Sequence, residues 1–88
     1  MANTKSGQLT ANAVATVSVD NAQRGLDIVN RDMTGEIWVT LDGSTPTVAG
    51  DNCYVVLGAR YFDTQGTTTA TVKLISTQAL RYAIEGGN

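Results

Sequence analysis

Residues Thr69–Thr77 read TATVKLIST, and the spacing of their side chains decides the fold class. Ala70, Val72 and Leu74 alternate with Thr71, Lys73 and Ile75. A period of two puts the first set on one face of a strand and the second on the other; a helix needs apolar residues three and four apart. The β-branched Thr, Val and Ile side chains are stiff at χ1 and favour a pleated surface.

The same alternation recurs outward along the chain. In Ala13–Asp20, AVATVSVD, residues Ala13, Ala15, Val17 and Val19 share a face, with Val14, Thr16 and Ser18 opposite. Arg24–Asn30, RGLDIVN, turns Leu26 and Ile28 inward and Asp27 outward. Glu36–Leu41, EIWVTL, sets Ile37, Val39 and Leu41 against Trp38 and Thr40, and Leu80–Gly86, LRYAIEG, sets Leu80, Tyr82 and Ile84 against Arg81, Ala83 and Glu85. Ser6–Thr10 and Cys53–Leu57 are weaker strand candidates. Asp20-Asn21, Asp32 to Gly35, Asp42-Gly43, Gly58, Gln65-Gly66 and Gly86-Gly87 supply turn chemistry between the segments. RDMTGE, between the Leu26 and Ile37 strands, reads as a tight hairpin, with Gly35 available for a positive φ. The expectation is an all-β protein: a small antiparallel β-sandwich or barrel of about seven to eight short strands. Residues 9–88 form its single domain, and the small polar residues 1–8, MANTKSGQ, read as a flexible N-terminal arm.

Composition agrees. Thr occurs thirteen times, Val nine and Gly nine, while Lys and Glu occur twice each. A chain of 88 residues buries only about 60–65% of its unfolded surface, so its core is limited. One cysteine excludes an internal disulfide, and the absence of histidine removes the usual zinc clusters. Regular β packing or burial against a partner must then hold the domain, and assembly is the first expectation. Six basic and eight acidic residues give a net charge of −2 with no basic run, which argues against nucleic acid. No stretch reaches the ~20 apolar residues of a bilayer span, and the N-terminus lacks the pattern of a signal peptide. A soluble chain made in a cytoplasm is expected, and a single thiol fits that reducing compartment.

Chemistry is sparse. The commonest general base is missing, and the carboxylates sit mostly at turns, where Asp is favoured for backbone geometry alone. No catalytic residue, cofactor site or metal site is expected, and the chain is read as not an enzyme. Cys53, beside YVVL, reads as a buried inert thiol. Asp42, Asp51 and Asn52 do not have the spacing of a calcium loop, and GSTPT lacks the Lys-Ser/Thr of a phosphate cradle. Trp38 is the most informative residue. Its neighbours Ile37, Val39 and Leu41 form the apolar set, leaving the indole on the opposite face, where an aromatic suits an interface.

The series IVNRDMTGEIWVTLDGSTPTVAGDNCYVV, followed by TTATVKLISTQALRYAIEG, resembles a group of small all-β virion proteins of tailed bacteriophages. The positions that carry the resemblance are Asn30, Ile37–Ser44, Pro46, Thr47, Gly50, Asp51, Val72–Ser76, Tyr82 and Ile84–Gly86. YVVLGARYFD departs from that pattern, because such sequences often carry a proline-containing turn there. The resemblance implies a capsid decoration (cement) or minor capsid protein on the virion surface, contacting the major capsid protein, commonly as a homotrimer. The interface candidates are then Trp38, Thr40, Ser44, Thr45, Pro46, Thr47, Arg60 and Tyr61. Asp42–Asn52 becomes a rigid connection presenting hydroxyls and backbone groups to a neighbour, since Pro46 fixes its own φ and restricts Thr45. The alternatives are another virion part (tail, collar or fibre base) and a carbohydrate-binding sandwich using Trp38 with Tyr61 or Tyr54.

Overall fold

The computed structural model describes residues 3–20, 25–64 and 69–86. They form eight strands: β1 (Asn3–Gln8), β2 (Ala15–Asp20), β3 (Leu26–Asn30), β4 (Ile37–Thr40), β5 (Tyr54–Val56), β6 (Ala59–Phe62), β7 (Thr69–Ile75) and β8 (Arg81–Gly86). Pairing runs from the outside of the chain inward. β1 pairs with β8, β2 with β7, β3 with β6 and β4 with β5, all antiparallel, as if the chain were one long hairpin folded at the β4–β5 connection. That ribbon is then wound on itself by two more antiparallel ladders, β3 with β8 and β4 with β7. The result is two four-stranded sheets, β1-β8-β3-β6 and β2-β7-β4-β5. This is the eight-stranded jelly-roll form of the expected β-sandwich.

The alternating segments supply the core between the sheets. Leu26, Ile28 and Ile84 from the first sheet meet Val19, Ile37, Val39, Val56, Val72 and Leu74 from the second, all fully buried. Ala15, Val17 and Leu41 pack against them from the margins.

Two expectations differ from the structure. Residues 3–8, expected to belong to a flexible arm over residues 1–8, form β1, an edge strand held to β8 by the ladder from Asn3↔Gly86 to Gln8↔Arg81, and residues 1 and 2 lie outside the described residues. A strand with no apolar alternation is held by its backbone, which composition does not reveal. Arg31–Glu36 is not a hairpin either, because β3 and β4 lie in different sheets. Buried Asn30 redirects the chain there. Its Nδ2 donates to Thr34 O at 2.9 Å and Leu57 O at 3.2 Å, and its Oδ1 accepts from the Asp32 N–H at 3.1 Å. Gly35 does adopt a positive φ of 72°. The segment from Leu57 to Asp63 contains β6, which exposes Ala59, Arg60 and Tyr61 and buries only Phe62, so it shows no alternation.

Candidate functional site

Trp38 lies on the face of β4 opposite Ile37 and Val39, outside the core, and is half-buried. Its cross-strand partners are Val55 on β5 and Ile75 on β7. The β2–β7 register pairs Ala15 with Leu74, which brings Val14, one residue earlier, level with Ile75. Val14, Ile75, Trp38 and Val55 thus form one apolar row across the outer face of the second sheet. Val14 is 41% exposed at one end, and Ile75 is only 9% exposed between its neighbours. Lys73, paired with Thr16 and Thr40, leads the polar row beside it.

The other interface candidates fall in different places. Thr40 is 1% exposed, and its Oγ1 donates to Ser44 O at 2.6 Å, so it fastens the β4–β5 connection and presents nothing. Pro46 is buried, Ser44 half-buried, and Thr45 and Thr47 exposed. The connection is tied internally. Asp42 Oδ1 accepts from both the hydroxyl and the backbone N–H of Ser44, and Asn52 Nδ2 donates to Ser44 Oγ at 3.1 Å. The Ser44 hydroxyl above all, and then its N–H, holds the Asp42 carboxyl below its usual range. Cys53 is half-buried, not buried, with its sulfur 3.5 Å from Thr47 O.

Arg60 and Tyr61 belong to the opposite sheet. The Arg60 guanidinium lies 5.3 Å from the Tyr54 ring centre and 5.2 Å from that of Phe62, and its Nη1 donates to Val55 O at 3.1 Å. It therefore bridges the β5 and β6 edges. Tyr61, 58% exposed, stands on the outer face opposite Asp27. The eight candidates do not converge on one site.

Sequence reasoning did not anticipate a shallow cleft of about 260 Å³ lined by Leu41, Asp42, Asn52, Tyr54 and Asp63. Tyr54 is 48% exposed and meets Phe62 edge-on at 5.4 Å, so its ring is a fixed wall. Carboxylate and amide oxygens beside a flat aromatic can accept hydrogen bonds from a hydroxylated ring. Asp63 reaches the cleft only through the β5–β6 crossing between sheets, which no spacing in the sequence signals. Among the described residues no group of three or more His, Cys, Asp or Glu is placed to hold a metal.

At the far end of the first sheet, Asp32 fastens the β3–β4 crossing to β8. Its Oδ2 accepts the Arg81 N–H at 2.8 Å, and its Oδ1 accepts Arg81 Nε at 2.9 Å and Nη2 at 2.8 Å. The backbone bond first, and then the guanidinium, lowers the Asp32 pKa. Comparison with protein-family models, with curated proteins and with solved structures finds no match for this chain.

Proposed function

We propose that this protein is a structural virion component: a decoration, or cement, protein that binds the outer surface of a tailed-phage capsid and braces contacts between major capsid protein subunits. The observation that carries the reading is the apolar row Val14–Ile75–Trp38–Val55 on the outside of a sheet whose inner face already supplies the core. A tryptophan amid aliphatic neighbours on an outer face has the composition of an interface hot spot. The β4–β5 connection, tied through Thr40, Asp42, Ser44 and Asn52, would lose little entropy on docking beside it. Jelly rolls serve viral capsid domains as well as lectins and cupins, so the architecture is compatible with the role without selecting it. The remaining support is the sequence resemblance to small virion proteins, which also suggests a homotrimer.

Quantitative mass spectrometry of purified particles tests the reading. A copy number on the scale of the shell subunits supports a decoration protein, and particles lacking it should rupture at lower temperature. A copy number on the scale of a tail, collar or fibre base moves the protein to that part of the virion. Particles without it end the proposal.

One observation favours a second reading, a carbohydrate-binding module: the cleft walled by Tyr54 with Asp42, Asn52 and Asp63 at its rim. Retention on a glycan array, lost on Tyr54→Ala, would support that reading, and no retention on any glycan would remove it.

A further inference from the structure

We propose that Asp42–Gly43 is a site of spontaneous isoaspartate formation, and that the Ser44 side chain holds the reaction in check. The inference is independent of what the protein binds.

Asp-Gly offers this conversion little steric resistance, because glycine has no Cβ to keep its nitrogen from the neighbouring carboxyl. Here the pair stands in the open. Asp42 and Gly43 are exposed, Gly43 has a φ of 86°, and a Cβ built on it would meet nothing within 4 Å. No packing around Gly43 resists the rearrangement. In the first step the Gly43 nitrogen attacks Asp42 Cγ. The N–Cγ bond forms, the Cγ–OH bond breaks, and the amide hydrogen and the hydroxyl leave as water, closing a succinimide. Water then adds to the ring at the former main-chain carbonyl and breaks its bond to nitrogen. The backbone now runs through Cβ and Cγ, and the free carboxyl sits directly on Cα.

The first step needs a protonated carboxyl, since an ionised one has no hydroxyl to lose. Ser44 opposes that protonation. Its N–H donates to Asp42 Oδ1 at 3.0 Å, and its hydroxyl donates to the same oxygen. Both bonds favour the carboxylate, and together they fix the orientation of the carboxyl group. Ser44 is held in turn. Its O accepts from Oγ1 of Thr40, a β4 residue 1% exposed, at 2.6 Å, and its Oγ accepts from Asn52 Nδ2 at 3.1 Å. Ser44 is thus a positioning residue anchored to the core strand. Conversion at Asp42 would withdraw the carboxylate from Ser44 and from the cleft that it lines.

The test ages the full chain in mildly acidic heavy-oxygen water. The tryptic peptide Asp32–Arg60 is then mapped by mass spectrometry, which separates isoaspartyl from aspartyl forms and reads the heavy oxygen gained on ring opening. A synthetic peptide of residues 39–47, in which no fold holds Ser44, sets the unguarded rate. The parent protein should convert at least about tenfold more slowly than the peptide, as two hydrogen bonds to a charged group require. Ser44→Ala should convert about five- to tenfold faster than the parent, the factor set by losing one such exposed bond. Ser44→Thr, which keeps the hydroxyl, should convert at the parent rate. A parent as fast as the peptide overturns the proposal, and that comparison stands even where a variant fails to fold. Ser44→Ala no faster than the parent, or Ser44→Thr as fast as Ser44→Ala, overturns it as well.

Discussion

Replacing Asn30 tests the account of how the chain passes from one sheet to the other. The side chain is fully buried and makes three hydrogen bonds, to Thr34 O, Leu57 O and the Asp32 N–H. At about 1 kcal/mol net for each, Asn30→Ala removes about 3 kcal/mol. Thr34 is exposed and Leu57 is 58% exposed, so water reaches their carbonyls in part and lowers the expected loss to about 2–3 kcal/mol. For a domain of this size that is a fall in Tm of roughly 10–20 °C. Asn30→Asp is more discriminating. It turns the donor that faces two carbonyl oxygens into a third oxygen, and burial raises the folded pKa of the new carboxyl above its unfolded value of about 3.9. An acid with a raised folded pKa loses stability as pH rises through that window, so the gap to the parent protein should be wide at pH 7 and narrow at pH 4. Urea titrations followed by circular dichroism and indole fluorescence measure both variants. If Asn30→Ala lies within about 0.5 kcal/mol of the parent, or if the Asn30→Asp gap ignores pH, the buried amide does not hold the crossing.

Three further outcomes are expected. Trp38→Ala should keep the far-UV spectrum of the sandwich yet bind empty shells at least about 30-fold more weakly, as loss of a hot spot of about 2 kcal/mol requires; unchanged binding would place the docking face elsewhere. Asp32 and Asp42 have lowered pKa values, so their stabilisation is complete above the ordinary carboxylate range and fades as pH falls through their folded values. Asp32→Asn should therefore melt below the parent at pH 7, with the difference shrinking towards pH 2; a gap that stays constant between those pH values counts against the Arg81 contacts as its cause. Gly35→Ala puts an L side chain at φ 72°, with its Cβ 3.2 Å from Leu80 Cδ1, and should cost about 1–2 kcal/mol in chemical denaturation. No measurable loss would mean that the turn relaxes to another conformation.

Much of this architecture is legible in the sequence, and the exceptions share physical causes. β2, β3, β4, β7 and β8 each bury one face, so alternation reports them, and it also places Trp38 on the far side of Ile37 and Val39. β6 escapes because an edge strand with only Phe62 inward has no pattern to show. β1 is only partly legible, as the weak candidate Ser6–Thr10, because its ladder to β8 uses groups every residue possesses. The Arg31–Glu36 turn shows where the chain reverses but not which sheet it enters next, since that depends on Asn30 reaching the distant Leu57 carbonyl. The cleft is illegible for the same reason: Asp42 and Asp63 become neighbours only once the ribbon is wound. The interface candidates read from turn chemistry divide accordingly, with Thr45 and Thr47 exposed while Thr40 and Pro46 hold the connection from within.

Because Asn3 and Gly86 are cross-strand partners, the two ends of the wound ribbon emerge side by side from one margin of the molecule. A few residues bridging them would continue β8 into β1 as an ordinary hairpin and make the polypeptide circular. The circle could then be cut at exposed Val48–Ala49 without severing a ladder. Cargo joined beside Asn3 or beside Gly86 would leave from the same margin, whereas cargo on the reopened version would project from the β4–β5 connection.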